Sequence, residues 1–345
     1  MKGSGKMRNL KKVALFGLVV ALLCGCAVSV GELADETVPL AGTGEDIRSI
    51  SAPAAALSDD TDAPKIGAEE KAEDKAEDKA DFGVEAAGTH VAENEYALID
   101  YSNVSDGYVM VKYTAETEKR LKAQVKGSAS TYTYNIVPGE WAVFPISEGD
   151  GSYTVTIYEN AYDSKYASVL SCTCDVVLSD EFAPFLRPNQ YVDYANAPET
   201  VAKAAELTAG LDDALEMVTE VYDFTVESLV YDTERAATVK SGYLPVLDSV
   251  LAEKKGICFD YAALMTGMLR SQGVPCKLVV GYAGSEYHAW ISVWTAEEGW
   301  VDGVIFFDGS IWHRMDPTFA SGANSSESIL DFIRNDSNYV EKYIY

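Results

Sequence analysis

The stretch Gly256-Ile257-Cys258-Phe259-Asp260-Tyr261-Ala262 decides how the second half of this chain folds. The residues that follow, 263–272, have the pattern of one continuous helix, and Gly273 with Pro275 ends it. Cys258 therefore lies at or near a helix N-terminus. Unpartnered backbone N–H groups and the helix dipole stabilise a thiolate there, so the position suits a nucleophile.

The composition of the chain excludes one class of partner. With 345 residues, of which 48% are apolar, the chain is long enough for about two domains with a sizeable core. Its net charge is −27 and its isoelectric point is about 4.4. Nucleic-acid binding needs a basic surface to meet the phosphate backbone, so we expect no nucleic-acid partner.

The N-terminal residues are typical of an export signal. A basic start is followed by the apolar segment 13–23, which is too short to span a bilayer comfortably, and then by Leu23-Cys24-Gly25-Cys26. These four residues resemble the lipobox of bacterial lipoproteins, which implies a signal peptide over 1–25 and a lipid anchor on Cys26. Two acyl chains give stable attachment, so we expect an extracytoplasmic, membrane-anchored lipoprotein. The alternative is an ordinary signal peptide with an incidental cysteine.

Residues 26–94 are predicted to be a disordered acidic tether. They are rich in Ala, Asp, Glu, Ser and Gly, and 71–81 repeat a four-residue Lys-Ala-Glu-Asp unit. Such a segment cannot bury an apolar face, so no packed core is expected there. A flexible chain of this length reaches roughly 45 Å, which would hold a folded domain away from the membrane.

The pattern changes in residues 95–184, which we predict to form a small antiparallel β-sandwich. Short segments rich in β-branched and aromatic residues are separated by turn signals such as Gly149-Asp150-Gly151. The predicted strands are 96–100, 107–113, 121–125, 131–137, 141–145, 152–158 and 166–178. Their tyrosines could line a carbohydrate-binding face, but we favour ordinary strand residues.

Two cysteines of this module have an open redox state. Cys172 and Cys174 lie two residues apart on the last predicted strand and face the same side. In an oxidising compartment they could pair with each other, with Cys276, or with nothing. Two thiols alone are too few ligands for a metal site.

Residues 185–345 are predicted to form a second domain of the α+β class. Helical patterns precede the Cys258 helix at 198–209, 211–229 and 245–254, and 231–243 is predicted to be a loop. Strand patterns follow the helix at 276–282, 287–294, 300–307, 310–316 and 338–345. Asp308-Gly309 is a strong signal for a hairpin between two of these strands.

Three residues of this domain have the types that a thiol triad needs. Cys258 would attack an acyl carbon, His288 would accept its proton or form an ion pair with it, and Asp316 would orient the imidazole. Strands lie between these residues, so the fold could bring His288 and Asp316 side by side. Taken singly, a helical cysteine or a strand histidine is more often structural.

The order of the motifs makes this pattern specific. The Cys258 stretch is followed by Arg270-Ser-Gln-Gly273-Val-Pro275, Gly281-Tyr282, His288-Ala-Trp290 and Asp316-Pro317-Thr318. This order resembles the transglutaminase-like superfamily, a branch of the papain-like thiol enzymes, over residues 185–345. The resemblance implies a papain-like transglutaminase-core fold, with Cys258 as nucleophile, His288 as general base and acid, and Asp316 as orienting carboxylate.

Two departures from the family pattern leave alternatives open. An extra hairpin before Asp316 makes Asp302 a second candidate for the third triad member, but we prefer Asp316 because Pro-Thr follows it. The family's oxyanion-supporting side chain has no clear match. Tyr243 is a candidate, although the backbone N–H of Cys258 is the preferred donor.

No metal and no cofactor are predicted. Cys258, His288 and Asp316 could bind zinc in principle, but structural zinc takes four close-set ligands, which the sequence does not offer. His313, which lies beside Trp312 on a hairpin strand, is predicted to be a surface residue.

The triad implies acyl transfer at an amide bond. Cys258 would form a thioester, which water resolves in a peptidase or amidase and an amine resolves in a cross-linking enzyme. The expected partners are a peptide or protein substrate, with cell-wall peptides or surface proteins as candidates by location, and the membrane through the lipid anchor. The alternative is a catalytically inactive binding or scaffold protein, against which the presence of all three residue types speaks.

Overall fold

The computed structural model describes residues 83–240, 242–283, 286–296, 299–302, 305–307, 312–314 and 339–345. Cys26, the predicted signal peptide and most of the predicted tether lie outside these ranges, as does Asp316. Most strands and helices lie in separate parts of the described chain, with strands first, then helices, then strands again, so the predicted α+β class is confirmed.

Two four-stranded antiparallel sheets form the first half of the described chain. One sheet has the order β1 (Val91–Glu93), β2 (Ala97–Asp100), β3 (Tyr108–Tyr113) and β6 (Trp141–Pro145). The other has the order β5 (Thr131–Ile136), β4 (Leu121–Lys126), β7 (Gly151–Tyr162) and β8 (Lys165–Val176). Apolar side chains of both sheets are buried in one core, so these strands form the predicted β-sandwich.

The seven strands predicted for this module are confirmed, and β1 is an addition. Val91–Glu93 lies in the segment that we predicted to be a tether, but it pairs with β2 from Val91 opposite Asp100 to Glu93 opposite Leu98. The three residues Val91, Ala92 and Glu93 form too short an apolar pattern to predict a strand. The partner strand supplies the hydrogen bonds that make it one.

Several tyrosines of the sandwich are structural. Tyr132, Tyr134 and Tyr153 are buried in the core, whereas Tyr96 and Tyr162 are exposed, so the preference for ordinary strand residues over a carbohydrate-binding face stays a prediction. The Tyr134 ring stacks on Phe144 with 4.1 Å between ring centroids. Tyr132 and Tyr134 also meet the ring of Tyr345 at 5.6 and 6.0 Å, which joins β5 to the C-terminal strand of the chain.

The helices follow the sequence pattern with one addition. They span Pro198–Leu207, Ala214–Ser228, Thr233–Thr238, Leu247–Glu253 and Cys258–Ser271, the last of which we call the central helix. The helix Thr233–Thr238 lies where we predicted a loop. Asp232 makes it a helix, because its side chain accepts the N–H of Arg235 at 2.9 Å as an N-cap.

A third four-stranded antiparallel sheet packs against the central helix. Its order is β13 (Gly299–Asp302), β12 (Glu286–Thr295), β11 (Cys276–Ala283) and β16 (Tyr339–Ile344). The predicted strand 300–307 is divided between β13 and β14 (Ile305–Phe307), which have different partners. β14 pairs with β15 (Trp312–Arg314) across the predicted hairpin turn, with Phe307 opposite Trp312. The short strands β9 (Val230–Tyr231) and β10 (Lys255–Gly256) pair in parallel beside the helix start.

The central helix is buried on every side, since all residues from Cys258 to Arg270 are buried. A helix surrounded by protein must find internal partners for its polar groups. The Arg270 guanidinium near its C-terminal end donates to the backbone oxygens of Cys276, Arg187 and Tyr345, at 2.8, 2.8 and 2.6 Å. One side chain thus holds three parts of the chain together: the central helix, the connector (residues 177–197, between β8 and the first helix) and the end of β16.

No helix within the described ranges is long and apolar enough to cross a bilayer.

The three bonds of Arg270 predict a large effect of its removal. Arg270→Met keeps an unbranched side chain but leaves three buried carbonyl groups without their donor, so we expect the free energy of unfolding to fall by about 3 kcal/mol. Urea denaturation measures this loss. The exposed Arg120 offers the control, because Arg120→Met should change stability by less than about 0.5 kcal/mol. Equal losses in the two variants would contradict the role assigned to Arg270.

Candidate active site

A cavity of about 240 Å³, which includes space open to solvent, lies where the central helix begins and meets β11 and β12. Its lining residues are Ile257, Cys258, Phe259, Val280, Tyr287, His288 and Ala289. Cys258 and His288, on the central helix and on β12, are therefore brought to one cavity. Their side chains are buried, with 4% and 5% of their surface exposed.

His288 lies in a restricted position on β12. Its ring stacks on Trp290 with 6.3 Å between centroids and an interplanar angle of 23°, and Trp290 in turn meets the ring of Tyr339 at 5.3 Å. Directly across the ladder from His288 is Gly281. A Cβ at Gly281 would lie 2.0 Å from the carbonyl oxygen of Val340 and 2.9 Å from the Trp290 ring, so only glycine lets β16 and this tryptophan approach.

Cys258 is the first residue of the central helix, as predicted, and Ile257 is the N-cap. The chain reaches this point from β10, and Gly256 passes close to the first helical turn. A Cβ at Gly256 would lie 2.5 Å from the Cβ of Asp260, which is closer than side chains approach. The glycine of the motif thus allows the strand to run directly into the helix.

Asp260 in the first turn is completely buried and has three partners. Its carboxylate accepts the backbone N–H of Ile257 at 2.8 Å and the hydroxyl of Tyr243 at 2.6 Å, and it lies 3.6 Å from the Arg235 guanidinium. The bond to Ile257 is one half of a capping box, since isoleucine has no acceptor for the other half. Burial raises the pKa of Asp260 above its usual range, and its hydrogen bonds with Tyr243 and Ile257 and the charge of Arg235 offset part of that rise.

Tyr243 lies beside the helix start and is not among the residues that line the cavity. Its hydroxyl donates to Asp260, and its pKa is raised by burial and by the Asp260 charge. A hydroxyl has one proton to donate, and here the carboxylate receives it. The oxyanion role of Tyr243 stays a prediction, and it would require the hydroxyl to turn from Asp260 towards the cavity.

The sequence pattern did not predict the cluster around Asp260, although one signal was present. An acidic residue three positions after the N-cap is one half of the capping-box signature, and Asp260 supplies that half. Arg235 had no comparable signal, because the turn of chain that brings its guanidinium to the first turn of the central helix is a tertiary feature.

The backbone of β13 bears on the choice between Asp302 and Asp316. Asp302 pairs with Ser292, which is four residues beyond His288 along β12. Four residues of strand span about 13 Å, which an aspartate side chain cannot bridge to an imidazole. This separation favours Asp316, whose position lies outside the described residues. His313 pairs through its backbone with Phe306 in the hairpin, and its surface location stays a prediction.

The other cysteines of the described chain are free thiols: Cys172, Cys174 and Cys276. Burial raises the pKa of Cys172, and it raises the pKa values of Cys174 and Cys276 to about 11. These thiols are therefore protonated and unreactive near neutral pH. In the part of the chain that is described, no group of three or more His, Cys, Asp or Glu is arranged to hold a metal ion.

The comparisons with known proteins concern the part of the chain that contains Cys258 and His288. Residues 201–303 match the model of the transglutaminase-like superfamily. The chain is 28% identical over 188 residues to YebA, an uncharacterized protein of Bacillus subtilis, and 28% identical over 132 residues to a protein-glutamine gamma-glutamyltransferase of Pseudomonas aeruginosa. These matches cover 46% and 34% of this chain but only 24% and 18% of the relatives, so the chain spans about a quarter of their length or less.

A solved structure is similar as well. The periplasmic domain of TgpA from Pseudomonas aeruginosa bound to ethylmercury shares 18% identity at a TM-score of 0.31, over 67% of this chain and 75% of that one. The matched residues run from within the first helix, Pro198–Leu207, through the central helix to the end of β13. The resemblance to the transglutaminase-like superfamily that the motif order predicted is confirmed over residues 201–303.

The helix start and the shared cavity predict a selective thiol. We expect iodoacetamide to label Cys258 with a midpoint well below pH 8, because a helix N-terminus and an imidazolium both stabilise a thiolate. Cys174 and Cys276, with pKa values of about 11, should stay largely unlabelled in the same sample and serve as internal controls. Mass spectrometry of the labelled peptides resolves the sites.

His288→Ala should move the Cys258 midpoint upward in that assay, since it removes the imidazolium. An ordinary thiol midpoint near 8.5, unchanged in His288→Ala, would show that the two residues share a cavity without acting on each other.

Proposed function

We propose that this protein is a cysteine-dependent enzyme that acts on amide bonds of peptides or proteins through a thioester intermediate. One observation carries the proposal: a single cavity open to solvent is lined by both Cys258, at a helix start, and His288. A buried thiol with no imidazole beside it, or one without an opening, would have no substrate to attack.

The proposed reaction has two steps. The Cys258 thiolate attacks the amide carbonyl carbon, the C–N bond breaks, and the His288 imidazolium gives its proton to the departing amine. Water or an amine then attacks the thioester, His288 accepts a proton from that nucleophile, and the C–S bond breaks to return the thiolate. Asp316 would keep the imidazole in the tautomer that serves both steps.

The developing oxyanion needs a donor at the cavity. The backbone N–H of Cys258 suits this role by position, because it lies at the N-terminus of the central helix, where the helix dipole is positive. The half-capping box at Asp260 fixes the backbone of Ile257 immediately before it. We propose the backbone N–H of Cys258 as the donor to the oxyanion and keep the hydroxyl of Tyr243 as the second candidate donor.

The walls of the cavity favour an extended, apolar acyl group. Ile257, Phe259 and Val280 line it beside Tyr287. Tyr282 meets the ring of Tyr287 at 5.4 Å and is itself 39% exposed, so an aromatic surface continues outward from the cavity. Apolar contacts of this kind suit the methylene groups of a side-chain amide or an apolar residue of a peptide.

Both acyl acceptors remain within the proposal. The Pseudomonas relative is named as a protein-glutamine gamma-glutamyltransferase, which supports an amine as acceptor and a glutamine amide as donor for this chain. Water as acceptor would make the protein a peptidase or amidase. The cavity geometry serves the first step equally in both cases.

The site of action follows from the N-terminal sequence. We propose that Cys26 carries the lipid anchor, that residues 26–94 include the tether, and that the enzyme works outside the cytoplasm on peptides or proteins near the membrane. The net charge of −27 supports the absence of a nucleic-acid partner. The second candidate function, an inactive surface scaffold, would explain the fold but not a thiol and an imidazole in one open cavity.

Hydroxylamine provides a direct test of the thioester. When the full chain is incubated with a glutamine-containing peptide library, we expect hydroxylamine to intercept the acyl group as a hydroxamate, because it outcompetes water as a nucleophile. Cys258→Ala should form none, and Cys276→Ala should behave as the wild type. No hydroxamate and no cleavage with any peptide class, from a protein whose Cys258 labels normally, would favour the scaffold.

The third triad member can be identified by a matched pair of variants. Asp316→Asn should lower kcat by about 10²- to 10⁴-fold, because the amide cannot hold the imidazole in the required tautomer. Asp302→Asn makes the same chemical change on β13 and should lower kcat less than about tenfold. Steady-state kinetics with the substrate found above measure both. The reverse order of effects would give the role to Asp302.

A further inference from the structure

Three side chains meet at the first turn of the central helix, and the reaction proposed above uses none of them directly. They are Asp260, Arg235 and Tyr243, which we call the helix-start cluster. The Arg235 guanidinium lies 3.6 Å from one Asp260 oxygen, and the Tyr243 hydroxyl donates to the other at 2.6 Å. Arg235 also donates to Tyr243 at 3.4 Å, which closes the triangle.

The charge of Asp260 presents a problem for a nucleophile. Cys258 and Asp260 lie two residues apart in the first turn of the central helix, on different faces of it, so the carboxylate acts on the ionising thiol through space and not by contact. A like charge nearby disfavours a second negative charge, and it does so strongly in a buried site. Asp260 cannot simply be absent, because it satisfies the buried N–H of Ile257.

We propose that Arg235 is a positioning residue of this site. Its guanidinium balances the charge of the Asp260 carboxylate, so that Cys258 can ionise in the same helical turn. The inference rests on the proposed function for its biological meaning, but its effect is measurable on the thiol alone. Arg235 suits the role because its position is fixed from several sides. It also bonds Glu253 at 3.0 Å and lies 3.7 Å from Asp232.

Other charged and titratable groups surround this cluster and the thiol. Lys255 on β10 pairs with Asp232 at 3.0 Å, so it compensates a different carboxylate. From β12, Tyr287 and His288 face the cavity. The pKa of Tyr287 is raised chiefly by burial, so it is neutral near pH 7. Among the described residues, Arg235 is the cation that lies within ion-pair distance of the Asp260 carboxylate.

The test is a double-mutant cycle on the pH midpoint of Cys258 alkylation, measured without substrate. Arg235→Gln should raise the midpoint by about one pH unit, which is a tenfold loss of rate below the midpoint. Asp260→Asn keeps the shape and an acceptor for Ile257 but removes the charge, so it should lower the midpoint. The double variant should return near the wild type, because neither charge is present.

Two controls separate charge from folding. Arg235→Lys keeps the cation and should leave the midpoint within a few tenths of the wild type. Lys254→Gln removes the same charge from an exposed lysine near the motif and should have no effect. Thermal denaturation checks that each variant is folded, and a misfolded Arg235→Gln is replaced by Arg235→Met in the same cycle.

The outcomes are distinct from those that test the enzyme itself. A low wild-type midpoint that does not respond to Arg235→Gln, or single variants that both move it in one direction, would overturn the role of Arg235 and leave the thiol enzyme standing. Opposite shifts that cancel in the double variant would support the role of Arg235. An ordinary wild-type midpoint insensitive to His288→Ala would instead remove the proposed function.

Discussion

The complete burial of the central helix is the constraint on which the rest of the structure depends. No residue from Cys258 to Arg270 reaches solvent appreciably, so every polar group on the helix needs a partner inside the protein. The two charged side chains lie near its opposite ends. Asp260 is at the N-terminal end and Arg270 near the C-terminal end, which is the order that the helix dipole favours. Each of them brings distant parts of the chain to the helix.

Those two ends have different tasks. Arg270 gathers carbonyl groups from the connector, from β11 and from β16, and thereby assembles the scaffold. Asp260 gathers Tyr243 and Arg235 around the turn that carries the thiol. A nucleophile at a helix start profits from the dipole only if its neighbours do not cancel that benefit. The Asp260 carboxylate supplies the acceptor that the backbone N–H of Ile257 needs, and the cation of Arg235 offsets the charge of that carboxylate.

The β-sandwich is connected to this architecture through aromatic rings. Tyr191 meets Phe259 at 5.4 Å and Tyr345 at 4.6 Å, and Tyr345 meets Tyr134 of β5. Phe259 is also a wall of the cavity. The sandwich thus contributes to the support behind the site, since rings in contact keep one another from moving. Its buried tyrosines Tyr132 and Tyr134 are part of this packing.

The sequence by itself determined the strands of the sandwich, the helix Ala214–Ser228 and the start of the central helix at Cys258, because periodicity, glycine and proline act locally. Motif order alone also indicated the superfamily. Only the tertiary structure decided that β1 is a strand, that 300–307 is split between two partners, and that Arg235 meets Asp260. These features depend on contacts between residues far apart in the chain, and a local pattern carries no record of such a contact.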